Sequence, residues 1–554
     1  MKKVSILLVI VLSIASVYNV RGQSIKKYDV VIYGGTSAGV MAALAVAKMG
    51  ESVVLLTPQK HVGGITTSGL GWTDKPYKDG ENNLIGGLTR DFYLQVYDYY
   101  KNANAWQEES RDEYVNRVAN TSHKVADGLM WTFEPHVAED IFDTFLKNAH
   151  VTVLLNTKLN RKTGVNMVNG HINSITMLNG DQFRGKVFID ATYTGDLMAA
   201  AGVSFTMGRE SNCKYGETLD GIETALTRSH QFPRGVSPYK IENDPSSSLL
   251  PNIDPNQGGA DGSGDNKVQS FNYRICLTDA PNNQMPITRP NEYDSSQYEL
   301  LVRLFKAQPK KRSLFDYFIW SPMPNRKTDI NNLGAFSTDL IGMNDHFIEA
   351  DYKKRTLLLQ KYESYTKGLL YFMGHDPRVP QSIRDEMLKW GYPKDEFQPN
   401  NYWPYELYIR EGRRMISNFV MTQQYIQRVK DASDPIAIGY YNMDSHNTQR
   451  YVTPEGDVQN EGDVEVYPGG PYLIPYGTII PKLSECTNLL VPVCLSASHI
   501  AYSSIRMEPV FMEIGQAAGT AAALAAKSSK AVQEINYPKL RKLLLDDGQI
   551  LSVQ

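Results

Sequence analysis

The sequence predicts an α/β protein: a doubly wound parallel-sheet domain assembled from both ends of the chain, with an α+β domain inserted between them. Three observations predict it. Residues 28–56 read as strand, glycine turn, helix and strand (YDVVIY, GGTSAG, an alanine-rich stretch to Met49, ESVVLL), a β-α-β unit of about thirty residues. Residues 488–527 return to the same style, an apolar run NLLVPVCLSASH followed by a small-residue helix PVFMEIGQAAGTAAALAAK. Between them the texture changes to Asn, Asp, Pro, Gly and Ser, as in DPSSSLLPNIDPNQGGADGSGDNK (Asp244 to Lys267), which reads as a long loop. The implied boundaries are 28–204 and 471–554 for the two parts of the sheet domain and 205–470 for the insert.

Each element has its own warrant. YDVVIY is a β-branched run feeding a turn that opens a helix at Ala38, so backbone N–H groups and the positive dipole end face the turn, an arrangement that holds a diphosphate. One position departs from the G-x-G-x-x-G pattern: Thr36 stands between Gly34 and Gly39 where a glycine is expected. A second glycine-rich segment follows, HVGGITTSGLGWTD (His61 to Asp74). FEPHVAEDIFDTFLKNA (Phe133 to Ala149) reads as an amphipathic helix entering the strand VTVLLN. Asn169-Gly170 and Asn179-Gly180 mark hairpins within 159–189, and KVFIDATYTGDLMAAAGV (Lys186 to Val203) gives a strand, a turn and a helix start. In the insert, helical patterns fall near 292–307, 346–371 and 404–430.

With 42% hydrophobic and 21% charged residues, the 554-residue chain can bury a large core and is not disordered. A formal net charge of −3 and no basic stripe exclude a nucleic-acid binder. The start, MKK followed by VSILLVIVLSIASV and Val20-Arg21-Gly22, reads as a signal peptide over 1–22 cleaved before Gln23. The apolar run is short for a bilayer span and nothing similar recurs. The expectation is an exported protein, periplasmic or extracellular, with no stable membrane anchor. Cys213, Cys276, Cys486 and Cys494 allow up to two disulfides or free thiols, and no Cys/His spacing suggests a metal.

Several segments together resemble the FAD-dependent oxidoreductases of the glutathione-reductase/succinate-dehydrogenase-like superfamily, and more narrowly the bacterial family called simply FAD-dependent oxidoreductase. They are YDVVIYGGTSAG, GGITTSGLGWTD, FEPHVAE, FIDATYTGDL, YIREGRRMISNFVMT, MDSHNTQR, IPYGTIIPK and SASHIAYSSIRMEPVFMEIGQAAGTAAALA, in order over nearly the whole mature chain. The resemblance implies a discontinuous Rossmann-like FAD-binding domain and an inserted substrate or cap domain. It implies that Gly34, Gly35, Thr36, Ser37, Ala38 and Gly39 cradle the pyrophosphate, and that Gly63, Gly64, Thr66 and Thr67 follow the pyrophosphate and ribityl chain. Ala191, Thr192, Gly195 and Asp196 would close over the flavin side, and Gly515 to Gly519 would bring a helix N-terminus to it. Thr57 stands where the ribose-binding acid is expected. His61 lies beside the glycines, but its placement differs from the histidine that attaches flavin covalently, so noncovalent FAD is expected.

A flavin enzyme needs a hydride donor held against the cofactor and a base for the accompanying proton. His499 in CLSASH and His446 in MDSH sit in polar motifs, with Arg506 to bind substrate oxygen and Asp444 to orient His446. Equally, His499 and the Arg506/Glu508 pair brace a loop. Arg410, Arg413 and Arg414 at i, i+3 and i+4 share one face of an expected helix. The expected function is an exported FAD-dependent oxidoreductase taking a hydride from a small polar substrate, a carbohydrate or hydroxy acid, for an unidentified electron acceptor. The alternatives are a flavin-dependent lyase or isomerase with no net redox, and a noncatalytic exported binding protein on the same scaffold.

Overall fold

The structure is a computed structural model that describes residues 25–75, 84–125, 128–256, 258–344 and 346–553; the expected signal peptide lies outside them. Strands β1 (Lys26–Tyr33), β2 (Val53–Leu56) and β3 (Thr152–Leu154) run parallel, with β1 in the centre. On its other side β1 pairs in parallel with β6 (Gln182–Asp190). The hairpins at Asn169-Gly170 and Asn179-Gly180 then add β5 (His171–Thr176) and β4 (Val165–Val168) antiparallel, completing the order β3-β2-β1-β6-β5-β4. Val30 to Tyr33 are fully buried, as a central strand covered on both faces must be.

The C-terminal part joins this sheet. Leu489–Leu490 pairs in parallel with Phe188 and Ile189 of β6. Helix Glu508–Ser528 packs along α1 (Ser37–Lys48) at backbone contact distance: a Cβ added at Gly515 would fall 2.3 Å from the Ala38 carbonyl oxygen, and one at Gly519 would fall 2.2 Å from that of Ala42. Both glycines are there because two helix backbones touch. This corrects the expectation for Gly515 and Gly519. They lie in the third and fourth turns of a helix that begins at Glu508, so they open no helix end.

Helices α2 (Gly87–Tyr99), α3 (Arg111–Val118) and α4 (Pro135–Asn148) flank the sheet domain. The insert is α+β. An antiparallel five-stranded sheet orders its strands Phe318–Met323, Lys327–Asn332, Ile275–Thr278, Gly391–Pro393 and Gln284–Pro286. Helices Glu299–Ala307 and Tyr352–His375 match two expected patterns. The third is corrected: of 404–430 only Gln423–Ile426 is α-helical, and Arg410, Arg413 and Arg414 lie on extended and irregular chain ending in the strand Arg414–Met415. The arginines share no helix face because each reaches a separate buried carboxylate. Arg410 meets Asp339 at 3.0 Å, Arg413 meets Asp196 at 3.1 Å and Arg414 meets Glu210 at 2.8 Å. All four cysteines are free thiols, three of them buried. Among the described residues no helix is long and apolar enough to cross a membrane.

Candidate functional site

The turn between β1 and α1 is shaped by contacts a side chain would destroy. Gly34 has φ +117°, and a Cβ there would lie 2.5 Å from the carbonyl carbon of Ala191. At Gly39 it would lie 2.0 Å from the Gly34 oxygen. The Thr36 hydroxyl is committed within this turn. Thr36 is the N-cap of α1, accepting from the Gly39 N–H at 3.3 Å and donating to the Ala191 carbonyl at 2.7 Å. The threonine hydroxyl thus ties the turn to β6, and the first turn of α1, which carries no acidic residue, keeps its free N–H groups. Gly34, Gly35 and Thr36 line a cavity of about 190 Å³, with Pro58, Gln59, Lys158, Thr192, Tyr193 and Asp196 around it.

Thr57 is not on that cavity. It is fully buried beneath Gly35, whose Cβ would fall 2.7 Å from that of Thr57, and Gln59 is the polar side chain that reaches the wall. Thr57 exchanges hydrogen bonds with Gln59, accepting from its N–H at 3.2 Å and donating to its side-chain oxygen at 3.1 Å. The expectation that Thr57 meets the ribose is therefore corrected, because a residue packed under the glycine turn has no free face.

The second glycine segment divides in two. Gly63 bonds its N–H to the Gly35 carbonyl at 2.6 Å, but its open face meets Phe142, and Thr67 donates to the Val62 carbonyl at 2.6 Å. Gly63 and Thr67 are structural. Thr66 instead meets the buried carboxylate of Glu508, which is bound by hydroxyls and forms no ion pair with Arg506 among the described residues. Gly64 packs on the Tyr193 hydroxyl. The two Glu508 oxygens accept from Ser37 at 2.5 Å, Thr66 at 2.9 Å and Tyr193 at 2.7 Å. Burial pushes this carboxyl up to about 7 against those three donors. Ser37 is committed to it, and the Tyr193 hydroxyl occupies the space a side chain at Gly64 would need. On β6, Asp190 receives the N–H of Thr192, the hydroxyl of Thr192 and the N–H of Met198, which fixes the turn Ala191 to Asp196. Gly195, at φ +63°, allows the chain to pass Cys494. Asp196 lines the cavity, with its carboxylate 2.6 Å from Arg355, 3.1 Å from Arg413 and 3.4 Å from Arg161.

A family model described as FAD dependent oxidoreductase matches residues 29–544. The chain belongs to this family. FAD is the cofactor of this oxidoreductase, and the residues fit it: a glycine turn without Cβ atoms, a helix start without acids, and Lys158 and Arg355 on the cavity wall. No curated protein sequence matches the chain. Among solved structures, L-proline dehydrogenase from P. horikoshii is 15% identical over 34% of this chain and 59% of its own, with TM-score 0.24. L-amino acid deaminase from Proteus vulgaris is 13% identical over 34% of this chain and 62% of its own, TM-score 0.22. A flavin monooxygenase from Stenotrophomonas maltophilia is 15% identical over 34% of this chain and 42% of its own, TM-score 0.18. The matched part thus spans less than two thirds of each of those chains.

The oxidoreductase carries a second polar constellation, where the insert meets the FAD-binding part. His446 Nδ1 lies 2.9 Å from Asp339 and its Nε2 3.6 Å from Asp444, so a carboxylate faces each ring nitrogen. Arg506 donates to the Asp444 carbonyl at 2.8 Å, to its carboxylate at 3.2 Å and to the Tyr408 hydroxyl at 2.8 Å. Arg410 holds the other oxygen of Asp339 at 3.0 Å. Burial alone would raise Asp339, but Arg410 and His446 hold it at about 2; Asp444 is likewise held well below the usual carboxylate range, by His446 and Arg506. Asp74 stands near Arg274 and Arg506, raised by burial to about 6. Nε of Arg506, Nε of Arg410, Oδ1 of Asn272 and Oγ of Ser270 are buried there without a hydrogen-bond partner among the described residues. Asp444, 22% exposed, marks the side open to solvent. Tyr408 and Arg410 face this cluster, and Ile409 between them lines the cavity at the glycine turn.

The structure therefore brings His446, Asp444 and Arg506 together and sets His499 apart. His499 opens the helix His499–Ile505, is 2% exposed, and has both ring nitrogens engaged, by Glu411 at 2.7 Å and Ser445 at 3.0 Å. Burial and the nearby Arg414 push it down to about 3, so it is neutral. A neutral imidazole with no free nitrogen braces the strand Met443–Ser445, which leads into His446, and the expectation that His499 meets substrate is corrected. His61 stacks on Tyr405 at 4.6 Å and lies 3.1 Å from Glu406. Among the described residues one further cluster has metal-ligand geometry, Glu134, His136 and Glu396, but the Lys327 ammonium already sits 2.7 Å from both glutamates and His136 pairs with Glu396 at 2.7 Å. Tyr193 and Gln59 left no sequence signal beyond their neighbourhood to GDL and the second strand. Asp339 left none, being 107 residues from its histidine.

Proposed function

We propose that this oxidoreductase takes a hydride from a carbon bearing a hydroxyl on a small polar substrate, in the constellation of His446, Asp444, Arg506, Arg410 and Tyr408. One observation carries the proposal: those buried polar groups converge beside the FAD cavity, with unpartnered N–H and oxygen atoms directed among themselves. Bound FAD supplies the two-electron acceptor. His446 Nε2 takes the hydroxyl proton as the C–H bond gives up its hydride, and Asp339 on Nδ1 holds the ring and stabilises the imidazolium. Arg506 holds the substrate oxygen, drawn toward it by a guanidinium already fixed on Asp444 and Tyr408.

A carbohydrate or a hydroxy acid meets this description. The leader at 1–22 supports export to the periplasm or medium, which N-terminal sequencing of the exported protein tests by a start at Gln23. For the chemistry, candidate sugars and hydroxy acids are mixed anaerobically with the holoenzyme and flavin bleaching is followed. His446→Gln is expected to slow bleaching by roughly 10²–10⁴-fold while the flavin stays bound. Bleaching at the wild-type rate in that variant removes His446 from the reaction.

A further inference from the structure

The FAD cavity has two walls of different origin. One comes from the nucleotide-binding part: Gly34 to Thr36, Pro58, Gln59, Lys158 and Thr192 to Asp196. The other comes from the insert, chiefly the first turns of helix Tyr352–His375, through Tyr352, Arg355, Thr356 and Leu359, with Phe347 and Ile409 beside them. The walls are joined by directed bonds. Arg355 grips Asp196 with two nitrogens, at 2.6 and 2.9 Å, and its Nε donates to the Phe347 carbonyl at 3.2 Å. The Tyr352 and Tyr33 hydroxyls lie 3.0 Å apart, and Tyr33 also accepts the Leu159 N–H at 3.0 Å. Arg161 reaches back to the Ala350 carbonyl at 2.9 Å.

Charge points to what lies between the walls. Lys158, Arg355 and the two further arginines on Asp196, Arg161 and Arg413, gather around the Asp196 carboxylate, and the exposed Asp351 adds a second negative charge beside Arg161. Among these residues two positive charges remain unmatched, and Arg355 and Arg413 are buried. Three arginines sharing the one buried carboxylate leave an excess of positive charge at this wall, and the diphosphate of a dinucleotide brings two negative charges.

We propose that the insert is also part of the cofactor site: the start of helix 352–375 closes over the adenosine diphosphate portion of FAD, Arg355 and Tyr352 bind it, and the Asp196–Arg355 pair is the latch that must open for FAD to enter or leave. Cofactor retention is then a property of the seam between the two domains. A chain that acquires FAD after export, folded around an open seam, locks it in by closing this pair.

The test follows FAD release from the holoenzyme by the rise of flavin fluorescence on dilution. Arg355→Met is expected to speed release at least tenfold, Arg355→Lys less, and Asp196→Asn in the Arg355→Met background to add little, since the pair acts as one unit. Added salt speeds release from wild type more than from Arg355→Met. Release from Arg355→Met within twofold of wild type overturns the proposal. Should that variant fail to fold, hydrogen exchange decides on the wild-type full chain stripped of flavin. Amides of helix 352–375 must become protected on addition of ADP, the probe that carries only the proposed portion, and unchanged exchange there with ADP bound overturns the proposal.

Discussion

Glu513 is the buried acid for which a pH effect can be worked out from the structure alone. It lies on helix Glu508–Ser528 and is fully buried; one carboxylate oxygen accepts the Gly86 N–H at 3.0 Å and the other has no partner among the described residues. Burial raises it from 4.5 to about 8. Between those two values the folded protein keeps a proton that the unfolded chain has released, so folding stability is full below about pH 4.5, declines as pH rises, and levels off above about pH 8. At roughly 1.4 kcal/mol per pH unit the decline totals roughly 5 kcal/mol as an upper bound. Glu513→Gln removes the titrating group and keeps a carbonyl for Gly86. Its amide N–H groups enter a place with no acceptor, a pH-independent cost of about 1–3 kcal/mol, so the slope against pH is the readout and not the offset. Glu508 titrates in both proteins and cancels in the difference. Urea unfolding followed by flavin release, from pH 5 to pH 9, should show the variant gaining on wild type by several kcal/mol, most steeply between pH 5 and 8. A difference that stays flat across that range refutes the reasoning, for it would mean that the carboxylate has found a cation or solvent.

Three further outcomes are expected. Thr36→Gly, which restores the glycine fingerprint, should leave FAD affinity within about threefold and cost roughly 1 kcal/mol of stability, because it removes an N-cap and the bond to Ala191 and no cofactor ligand; flavin titration and melting separate the two. Gly519→Ala should destabilise by about 1–3 kcal/mol, since a Cβ 2.2 Å from the Ala42 oxygen forces the two helices apart by more than its helix propensity returns; thermal melting checks it. Lys327→Met should cost about 3–5 kcal/mol, leaving Glu134 buried without its cation and Glu396 with His136 alone, and the loss should lessen toward acid pH, where a Glu396 less firmly held at about 2 accepts a proton.

The parallel sheet and its turn were legible because local pattern and global fold agree there: β-branched runs, a glycine turn and NG hairpins each specify their own geometry. Thr36 was the point of doubt, and its answer is local too, a threonine serving as an N-cap where that residue type is favoured. Thr57, Gly63 and Thr67 were misplaced because motif position does not say which way a side chain points; each faces the core from a segment whose backbone passes the cavity. The arginines at 410–414 misled for a physical reason. Helical spacing is only a pattern, and four buried carboxylates drawn from 196 to 411 outweighed it. Asp339 and the hydroxyl partners of Glu508 were beyond reach, since each pair joins distant parts of the chain and no periodicity announces it.

The brace on the FAD turn has a consequence in time. Ser37 and Glu508 are 471 positions apart, so the N-terminal sheet emerges long before the helix that backs α1 exists. The insert, with its own sheet and hydrophobic cluster, has its core contacts available much sooner. Synthesis order and completion order are therefore reversed: the first-made part of the molecule finishes last. Until residues 508–528 arrive, α1 exposes its small-residue face and the turn it carries has no Glu508 behind it. A nascent or truncated chain should then be unable to keep FAD even with its whole glycine motif present.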